Sequence, residues 1–530
     1  MAAAVVFIGT ACSGGHSTAT SDRAQSRSAT PVEGGALVYG LDAETPQGYC
    51  DWNAQLAASG IIVNQAIYDT LMVPNDKGDM VPYLAQSVTH SPDYLTWTIT
   101  VRPDIQFQDG EPLDATAVKL NFDAYRKGAL FGFVFQNIAD EAVAGAMTVN
   151  ITMKKPWIAF SSYLFATGRL GMVAPKSINA PDCPTHPIGT GPFMVKDYVT
   201  NDHLTVIKNP RYWRKDATGR QLPYLDQITF RPIIDPSARL NALKNGQIQL
   251  MLTDNGDITY QVRKAVNTGQ LVDVENQRST EIEYTMLRVD KAPFDDPVAR
   301  QAVAYATNRD EINQLIYHGI LTPTDTPFAP DVFAYLKEPV QPRVRFDLNR
   351  AKQLVAQYKT AHGGQFTVTL SSSNDPTVVR NAQLVQSQWQ TAGIDVKLRN
   401  ADQATLINQA ISGDFQAVLW RNHPGADPDT QYGWWYSGSP INFGKINDPH
   451  INHDLDDARS NTVVTARQAD YQDLQRVFAS QLYNLWGFYA LWTFASAPNV
   501  HGITGPDLPD GGHPGIVVSV HPIVGLWLSK

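Results

Sequence analysis

Apolar and polar residues alternate along residues 96–107, TWTITVRPDIQF, with the period of two that is typical of a half-buried strand. Three shorter stretches rich in apolar residues, ALVYGLD at 36–42, VNITMKK at 149–155 and LTVIKN at 204–209, are also predicted strands. The first part of the chain is therefore predicted to contain much β-structure.

Two later stretches place apolar residues at helical spacing between a capping residue and a stop signal. Residues 295–319 start with an Asp–Pro pair, in which Asp296 caps the helix, and they end at Gly319. Residues 375–393 repeat this design, with Asp375 as the cap and a glycine as the stop. We predict one continuous helix in each stretch.

The strands IDVKL at 394–398 and FQAVLW at 415–420 follow the second predicted helix. Helices and strands are thus mixed along the chain without regular βαβ alternation, and we find no internal repeat and no coiled-coil heptads. This pattern predicts an α/β architecture of several lobes.

The length and composition set the class of protein. The chain has 530 residues, of which 43% are apolar and 18% charged. This length predicts about three folding units, and the apolar content excludes a disordered chain. No later stretch approaches the 18 or so consecutive apolar residues of a membrane span. The net charge of −9 argues against nucleic-acid binding.

The first residues resemble an export signal. Residues 1–11, MAAAVVFIGTA, are apolar and end in small residues, and Thr10-Ala11-Cys12 resembles the lipobox of bacterial lipoproteins. Gly9 stands where leucine is usual, and no Lys or Arg precedes the apolar run, so we expect the natural start to lie upstream of Met1. We expect Cys12 to be lipidated; the alternative is an incidental cysteine.

The other two cysteines are Cys50 and Cys183. If Cys12 carries a lipid, an even number of thiols remains in an exported, oxidising context, which favours a disulfide. Two separate buried thiols are the alternative. Between Cys12 and the first strand, residues 12–35 are rich in Ser, Thr, Ala and Gly, and they are typical of a flexible tether.

From about residue 36 to the C-terminus, the chain resembles the extracellular solute-binding protein family 5 of ABC importers, the peptide- and nickel-binding group. The segments that carry the resemblance occur in the order of the family: AIYDTL to DATAV (66–118), IGTGPF (188–193), NPRYW (209–213), LPYLDQITFRPIIDPSARLNALKNGQIQL (222–250), APFDDPVARQAVAYATNRDEI (292–312), FDLNRAKQLV (346–355), TAGIDVKL (391–398) and GDFQAVLW to DPDT (413–430).

The resemblance implies an α/β, two-lobed periplasmic-binding-protein type II fold with an extra subdomain in lobe I, like that of oligopeptide-binding proteins. The expected organisation is a signal at 1–11, a lipidated cysteine and tether at 12–35, lobe I at 36–66, 187–282 and 489–530, the extra subdomain at 67–186 and lobe II at 283–488. The two lobes would close on a ligand like a hinged trap.

The stretch 419–444, LWRNHPGADPDTQYGWWYSGSPINFG, is the most informative one for ligand binding. It follows a predicted strand and is rich in aromatic residues, and loops at strand ends often carry binding sites. The residues predicted to bind ligand are Trp420, Asn422, Asp427, Tyr432, Trp434, Trp435 and Tyr436, together with Asn374 and Trp52.

Dipeptide-binding relatives hold the ligand ammonium with an aspartate in this loop and its carboxylate with an arginine before the helix near Pro376. Here the corresponding residues are His423-Pro424-Gly425 and Ser371 to Asn374. An unpaired buried charge costs several kcal/mol. We therefore expect no selection of zwitterionic dipeptides; a longer peptide held by main-chain hydrogen bonds or a neutral or glycosylated solute are the alternatives.

No catalytic motif is found, so we expect a binding protein rather than an enzyme, without a cofactor. His450 and His453 lack a third ligand nearby in sequence, so we expect no metal site there. The expected function is a monomeric, lipid-anchored receptor on the outer face of the cytoplasmic membrane, which captures a peptide or similar solute and delivers it to an ABC permease. The alternative is a regulatory or scaffolding envelope lipoprotein, a role that some members of this family have.

Overall fold

The structure, a computed structural model, describes residues 30–45, 47–54, 57–338, 340, 344–422, 425 and 427–530. The predicted export signal and the predicted lipidation at Cys12 lie outside these residues, as do His423 and Pro424.

The strands are β1 Ala36–Leu41, β2 Met72–Pro74, β3 Met80–Pro82, β4 Ala85–His90, β5 Thr96–Val101, β6 Ile138–Gly145, β7 Thr148–Met153, β8 Phe193–Val199, β9 His203–Lys208, β10 Gln227–Pro232, β11 Leu250–Thr253, β12 Val272–Asn276, β13 Ile282–Leu287, β14 Thr322–Pro323, β15 Thr367–Ser373, β16 Asp395–Ala401, β17 Ala417–Asn422, β18 Asn484–Tyr489, β19 Trp492–Ser496, β20 Val500–His501 and β21 Trp527–Leu528.

The α-helices are Ala58–Ile67, Ala115–Tyr125, Phe160–Tyr163, Pro175–Ile178, Pro236–Lys244, Gly256–Asn267, Pro297–Ala306, Arg309–Tyr317, Leu348–Ala361, Pro376–Thr391, Gln403–Ser412, Tyr432–Trp435, Pro449–Ser460 and Val464–Gln481. Short 3-10 helices lie at Asp51–Asn53, Val134–Asn137, Ala166–Gly168, Pro428–Gln431 and Ile523–Gly525.

The largest sheet has seven strands in the order β12-β19-β11-β1-β10-β9-β8. Its central strand, β1, runs parallel to both neighbours, β10 and β11, and the outer pairs are antiparallel. Strand β1 packs into the core through Leu37 and Tyr39, which lie on one face of the strand and are fully inaccessible. We call this the large sheet.

The second sheet has six strands in the order β14-β18-β13-β17-β15-β16. We call residues 282–489, which contain this sheet, the second lobe. The chain passes from the large sheet to the second sheet at 277–281 and returns at 490–491. These two crossings are bonded to each other: the Ala490 N–H donates to the Glu281 carbonyl oxygen at 2.9 Å, and the Thr280 hydroxyl donates to the Ala490 carbonyl oxygen at 2.8 Å.

A small antiparallel sheet, in the order β4-β5-β7-β6, lies within residues 85–153. We call residues 67–182, which contain this sheet, the small region. The residues before and after this region are joined by a disulfide bond between Cys50 and Cys183, whose Cα atoms lie 5.2 Å apart. The division of the chain into lobe I, lobe II and an extra subdomain, with the boundaries given above, stays a prediction.

IGTGPF joins the small region to the large sheet through close backbone packing. A Cβ atom at Gly189 would lie 2.3 Å from the Ile67 carbonyl oxygen, and one at Gly191 would lie 2.4 Å from the Ile67 carbonyl carbon. The Gln108 side-chain amide fixes the same point, since it donates to the Ile67 carbonyl oxygen at 2.8 Å. Both glycines are therefore required by close approach.

The helix prediction for 375–393 is confirmed, with the Asp375 carboxylate accepting hydrogen bonds from the first turn. The prediction of one helix over 295–319 is wrong, because two helices, Pro297–Ala306 and Arg309–Tyr317, meet at Thr307-Asn308. Asn308 starts the second helix as its N-cap and accepts a bond from the Glu311 N–H at 3.2 Å.

The predicted strand at 96–107 is also too long, because β5 ends at Val101. Pro103 has no N–H to continue the ladder, and Asp104 has a positive φ of 62°. The chain therefore turns at this point.

Candidate functional site

A cavity of about 670 Å³ lies between the large sheet, the small region and the second sheet. The large sheet contributes the loop after β1 and the start of the helix Gly256–Asn267, through residues such as Asp42 and Asn255. The small region contributes residues such as Phe131 and Arg169, and the second sheet contributes β13 and the end of β17. This volume is in the usual range of small-molecule sites, about 300–1,000 Å³.

Charged side chains are frequent on the wall of this cavity. Among the described residues, its carboxylates are Asp42, Glu44, Asp254, Glu281, Glu283, Asp310, Asp325, Asp375 and Asp402. Its cations are Arg169, Arg239, Arg309, Arg345 and Arg421. The described wall therefore carries more carboxylates than cations.

Glu281 lies in the first crossing and is only 2% exposed. Burial raises the pKa of Glu281 to about 8, although the nearby charge of Arg169 lowers it. The Trp492 indole N–H donates to its Oε2 at 3.1 Å. The carboxyl is therefore held in place by an indole donor beside the cavity, and its environment favours the neutral form near neutral pH.

Glu283 lies two residues further along, on β13, so its side chain points to the same face of the strand as that of Glu281. Burial, together with the charges of Glu281 and Asp375, raises the pKa of Glu283 to about 7, although the hydrogen bond from Tyr317 lowers it. Its Oε2 accepts a hydrogen bond from the Tyr317 hydroxyl at 3.1 Å. A positive group placed here would favour the ionised form of both glutamates.

Arg421, on β17, faces the same part of the cavity and forms an ion pair with Asp254. Its Nη1 also lies 4.0 Å from Glu281 Oε2, and its guanidinium lies over the Trp492 ring at 5.3 Å from the centroid. Burial lowers the pKa of Arg421, although the group stays a cation. Arg421 thus offsets part of the negative charge of the wall.

Three of the residues predicted from sequence line the cavity: Trp420, Trp434 and Asn374. The rings of Trp420 and Trp434 meet the edge of Phe443 at centroid distances of 6.0 and 5.5 Å. These contacts make one aromatic wall in which the indoles of Trp420 and Trp434 are partly exposed and Phe443 is buried behind them.

Four other predicted residues lie outside the described cavity wall, because they pack into the second lobe. Trp435 is 2% exposed. The hydroxyls of Tyr432 and Tyr436 both donate to the Asp456 carboxylate, at 2.7 and 3.2 Å. Both oxygens of Asp427 accept bonds from Arg467, at 2.6 and 2.9 Å.

The remaining two predicted residues have separate positions. Trp52 lies near the disulfide, and its indole N–H donates to the Ile178 carbonyl oxygen at 2.9 Å. Asn422 is the last residue of β17, where its backbone pairs with Ile282; its side chain lies outside what the structure describes.

Sequence reasoning missed the charged residues of the wall, because they come from distant segments and each is ordinary in its local sequence. Glu281 lies just before β13, and Glu283 lies within this strand. The residues that contact them are distant in sequence, so their environment is apparent only in the folded protein. Ser373 and Asn374, which stand at one of the two family positions that lack an ionic residue, line the same cavity as these charges.

The family model described as "Bacterial extracellular solute-binding proteins, family 5 Middle" matches residues 79–443. This match covers more than half of the chain. The chain belongs to this family. The family consists of solute-binding proteins, not of enzymes. The resemblance of this chain to the family, which the sequence analysis predicts, is confirmed.

Two curated relatives of this family 5 protein differ in what their names say they bind. The chain is 32% identical to the glutathione-binding protein GsiB of Salmonella paratyphi A over 325 residues, which is 60% of each protein. It is 26% identical over 432 residues to the nickel-binding periplasmic protein of Escherichia coli K12, covering 77% of this chain and 80% of that protein. The matches with GsiB thus span about three fifths of that relative's length.

The fold is similar to that of the periplasmic binding protein DppA of Helicobacter pylori in complex with the peptide STSA. The TM-score is 0.82 at 22% identity, and the alignment covers 96% of this chain and 100% of that one. The predicted two-lobed type II periplasmic-binding fold is confirmed. Among the described residues, no helix is both long and apolar enough to span a membrane.

Proposed function

We propose that this chain is the lipid-anchored receptor of an ABC importer, and that it captures a peptide or similar solute in the cavity between its lobes. Closure of the lobes about the two crossings would enclose the ligand, and a permease would recognise the closed form. The observation that carries the proposal is one cavity lined by the large sheet, the second sheet and the small region.

The charge of the cavity wall restricts the class of ligand that we expect to bind. The ionised wall would repel an anion, and Glu281 and Glu283 lose part of their hydration because they are buried. An ammonium group between them would offset this loss by direct ion pairing and hydrogen bonding. We propose that the ligand carries a positive group, such as a free peptide amine, and places it near these glutamates.

Aromatic contacts give the second part of the site. Trp420 and Trp434 offer flat apolar area about one side of the cavity, and Asn374 offers amide groups at the end of β15. We propose that these three residues contact the uncharged part of the ligand. Such a division between ionic and apolar contacts is common in small-molecule sites.

Native mass spectrometry of the purified protein would identify a co-purified solute. Calorimetry would then compare tri-, tetra- and pentapeptides of alanine with their N-acetylated forms. We expect the free-amine peptides to bind and acetylation to weaken binding by at least about tenfold, since it removes the charge. Binding of only anionic solutes, or equal binding of both peptide forms, would contradict the proposal.

Closure is tested separately by small-angle scattering with and without the solute found. We expect a smaller radius of gyration for the complex. An unchanged radius at saturation would contradict hinge closure while leaving the ligand class intact.

A further inference from the structure

Two helices of the second lobe bring a histidine and two aspartates together on the outer surface. His450 and Asp454 lie four residues apart on the helix Pro449–Ser460, so they share one face. Asp473 comes from the helix Val464–Gln481, which packs beside it. His450 Nε2 lies 2.7 Å from Asp473 Oδ2 and 3.7 Å from Asp454 Oδ1.

One atom of each side chain, a nitrogen and two carboxylate oxygens, lies within 4.8 Å of the other two. Ligand bonds of about 2.0–2.2 Å in a tetrahedral zinc site place the ligand atoms about 3.3 Å apart. The two distances from His450 Nε2 lie on either side of this value, so a small adjustment of side chains would accommodate an ion.

Asp454 supplies an independent observation. Its side chain is only 7% exposed, yet Oδ2 has no hydrogen-bond partner among the described residues. A buried carboxylate oxygen without a donor is costly, and buried carboxylates are usually paired or bound to a metal. His450 is 51% exposed, so the point where the three groups meet can be reached from solvent.

We propose that His450, Asp454 and Asp473 bind a first-row divalent cation such as Zn²⁺. One imidazole nitrogen and two carboxylate oxygens are suitable ligands for such an ion, and water would complete its coordination. None of the three residues lines the ligand cavity, so this site is separate from the proposed solute site. The ion would link the two helices.

The sequence directed attention to a different pair, His450 and His453. His453 is 68% exposed, and its Nε2 lies 3.5 Å from Asp457 rather than near Asp473. The third ligand comes from a neighbouring helix and could not be found by spacing along one segment. His453 therefore serves as a matched control, since it is an exposed histidine on the same helix.

The test is calorimetric titration of the untagged full chain with zinc chloride after treatment with a chelator. We expect wild-type protein and His453→Ala to bind one ion that His450→Ala and Asp473→Asn bind at least about tenfold more weakly. The ion should also raise the melting temperature of wild type and His453→Ala, but not that of His450→Ala.

Asp473→Asn serves as a second variant if His450→Ala does not fold. Asp473 is 45% exposed and asparagine is nearly isosteric with it, so this variant should fold. Circular dichroism would check that both variants are folded. Absence of zinc binding to wild type, or binding that neither substitution weakens, would overturn the proposal.

Discussion

Two regions of the second lobe bury carboxylates in opposite ways. In the loop after β17, Asp429 is fully buried, and Arg459 donates to both of its oxygens at 2.9 Å. At the cavity, Glu283 accepts a hydrogen bond from the Tyr317 hydroxyl. The first arrangement pairs full charges, whereas the second pairs a carboxyl with a neutral donor.

The environment of Arg459 shows that the loop is part of the scaffold. Its guanidinium lies between the rings of Trp157 and Tyr432, at 4.7 and 3.5 Å from their centroids. The Trp157 indole N–H also donates to Asp429 at 2.8 Å, which ties the small region to the second lobe. Removing one partner of such a buried pair leaves an uncompensated charge, whereas a carboxyl whose pKa is raised beside a cavity is a candidate for ligand binding.

The largest effect is expected from breaking the paired region. Arg459→Met leaves Asp429 buried without its cation, which should lower the free energy of unfolding by about 3–5 kcal/mol. Urea denaturation followed by fluorescence would measure it. Arg476→Met is the control, because Arg476 is 49% exposed and lies 3.7 Å from its partner Asp473; its loss should change stability by about 0.5 kcal/mol or less.

Equal stability of Arg459→Met and Arg476→Met would contradict a stabilising role of the ion pair between Arg459 and Asp429.

At the cavity, a substitution is expected to raise the free energy of unfolding rather than lower it. The pKa of Glu283 is raised to about 7 in the folded protein from its ordinary value of 4.5, so the folded state binds more protons and stability falls as pH rises between these values. Glu283→Gln removes this loss and should raise the free energy of unfolding at pH 8 by roughly 1–3 kcal/mol.

Near pH 4, where the wild-type glutamate is largely protonated in both states, Glu283→Gln and wild type should differ little in urea denaturation. Glu275→Gln is the matched control on β12, where Arg263 donates to both oxygens at 2.7 Å. The Glu275→Gln variant should be slightly less stable than wild type at pH 8. A loss of stability in Glu283→Gln at pH 8 would show that Glu283 is paired like Asp429.

Ligand binding provides a third test of the cavity. A cationic peptide should bind more tightly as pH rises from 5.5 to 8, because the glutamates must release protons to pair with it. Calorimetry in buffers with different ionisation enthalpies would detect the released protons. Glu283→Gln should release fewer, and an affinity independent of pH would remove the glutamates from the site.

The smallest effect is expected at Tyr436. Tyr436→Phe removes one hydrogen bond to Asp456 and should cost about 0.5–1.5 kcal/mol in urea denaturation. Trp434→Ala, by comparison, should weaken peptide binding, because Trp434 lines the cavity. If Tyr436→Phe weakened binding as much as Trp434→Ala, the sequence-based assignment of Tyr436 to the ligand site would be supported.

Local signals explain what the sequence could predict. The caps Asp296 and Asp375 act within one turn, so both helix starts were found. Trp420 and Trp434 were found because aromatic residues gather after a strand. The break at Asn308 carried a local signal as well, the glutamate three residues later, which the longer apolar periodicity obscured.

The rest depends on partners far away in sequence. The arginines that pair with Asp429 and Asp427 lie 30 and 40 residues downstream, so the loop alone did not show that its aspartates are paired. Glu281 acquires its environment from Arg169 and Trp492, which are contributed by the small region and the large sheet. Only the assembled fold shows which of these charges are paired within the protein and which line the cavity.

The disulfide has a consequence for damage to the protein. The Cys50–Cys183 bond spans 133 residues and encloses the whole small antiparallel sheet. A protease that cuts one loop of this sheet would therefore release no fragment, because both pieces stay covalently joined. Such a cut would be visible on a gel only after reduction, because the two pieces separate only when the disulfide is broken.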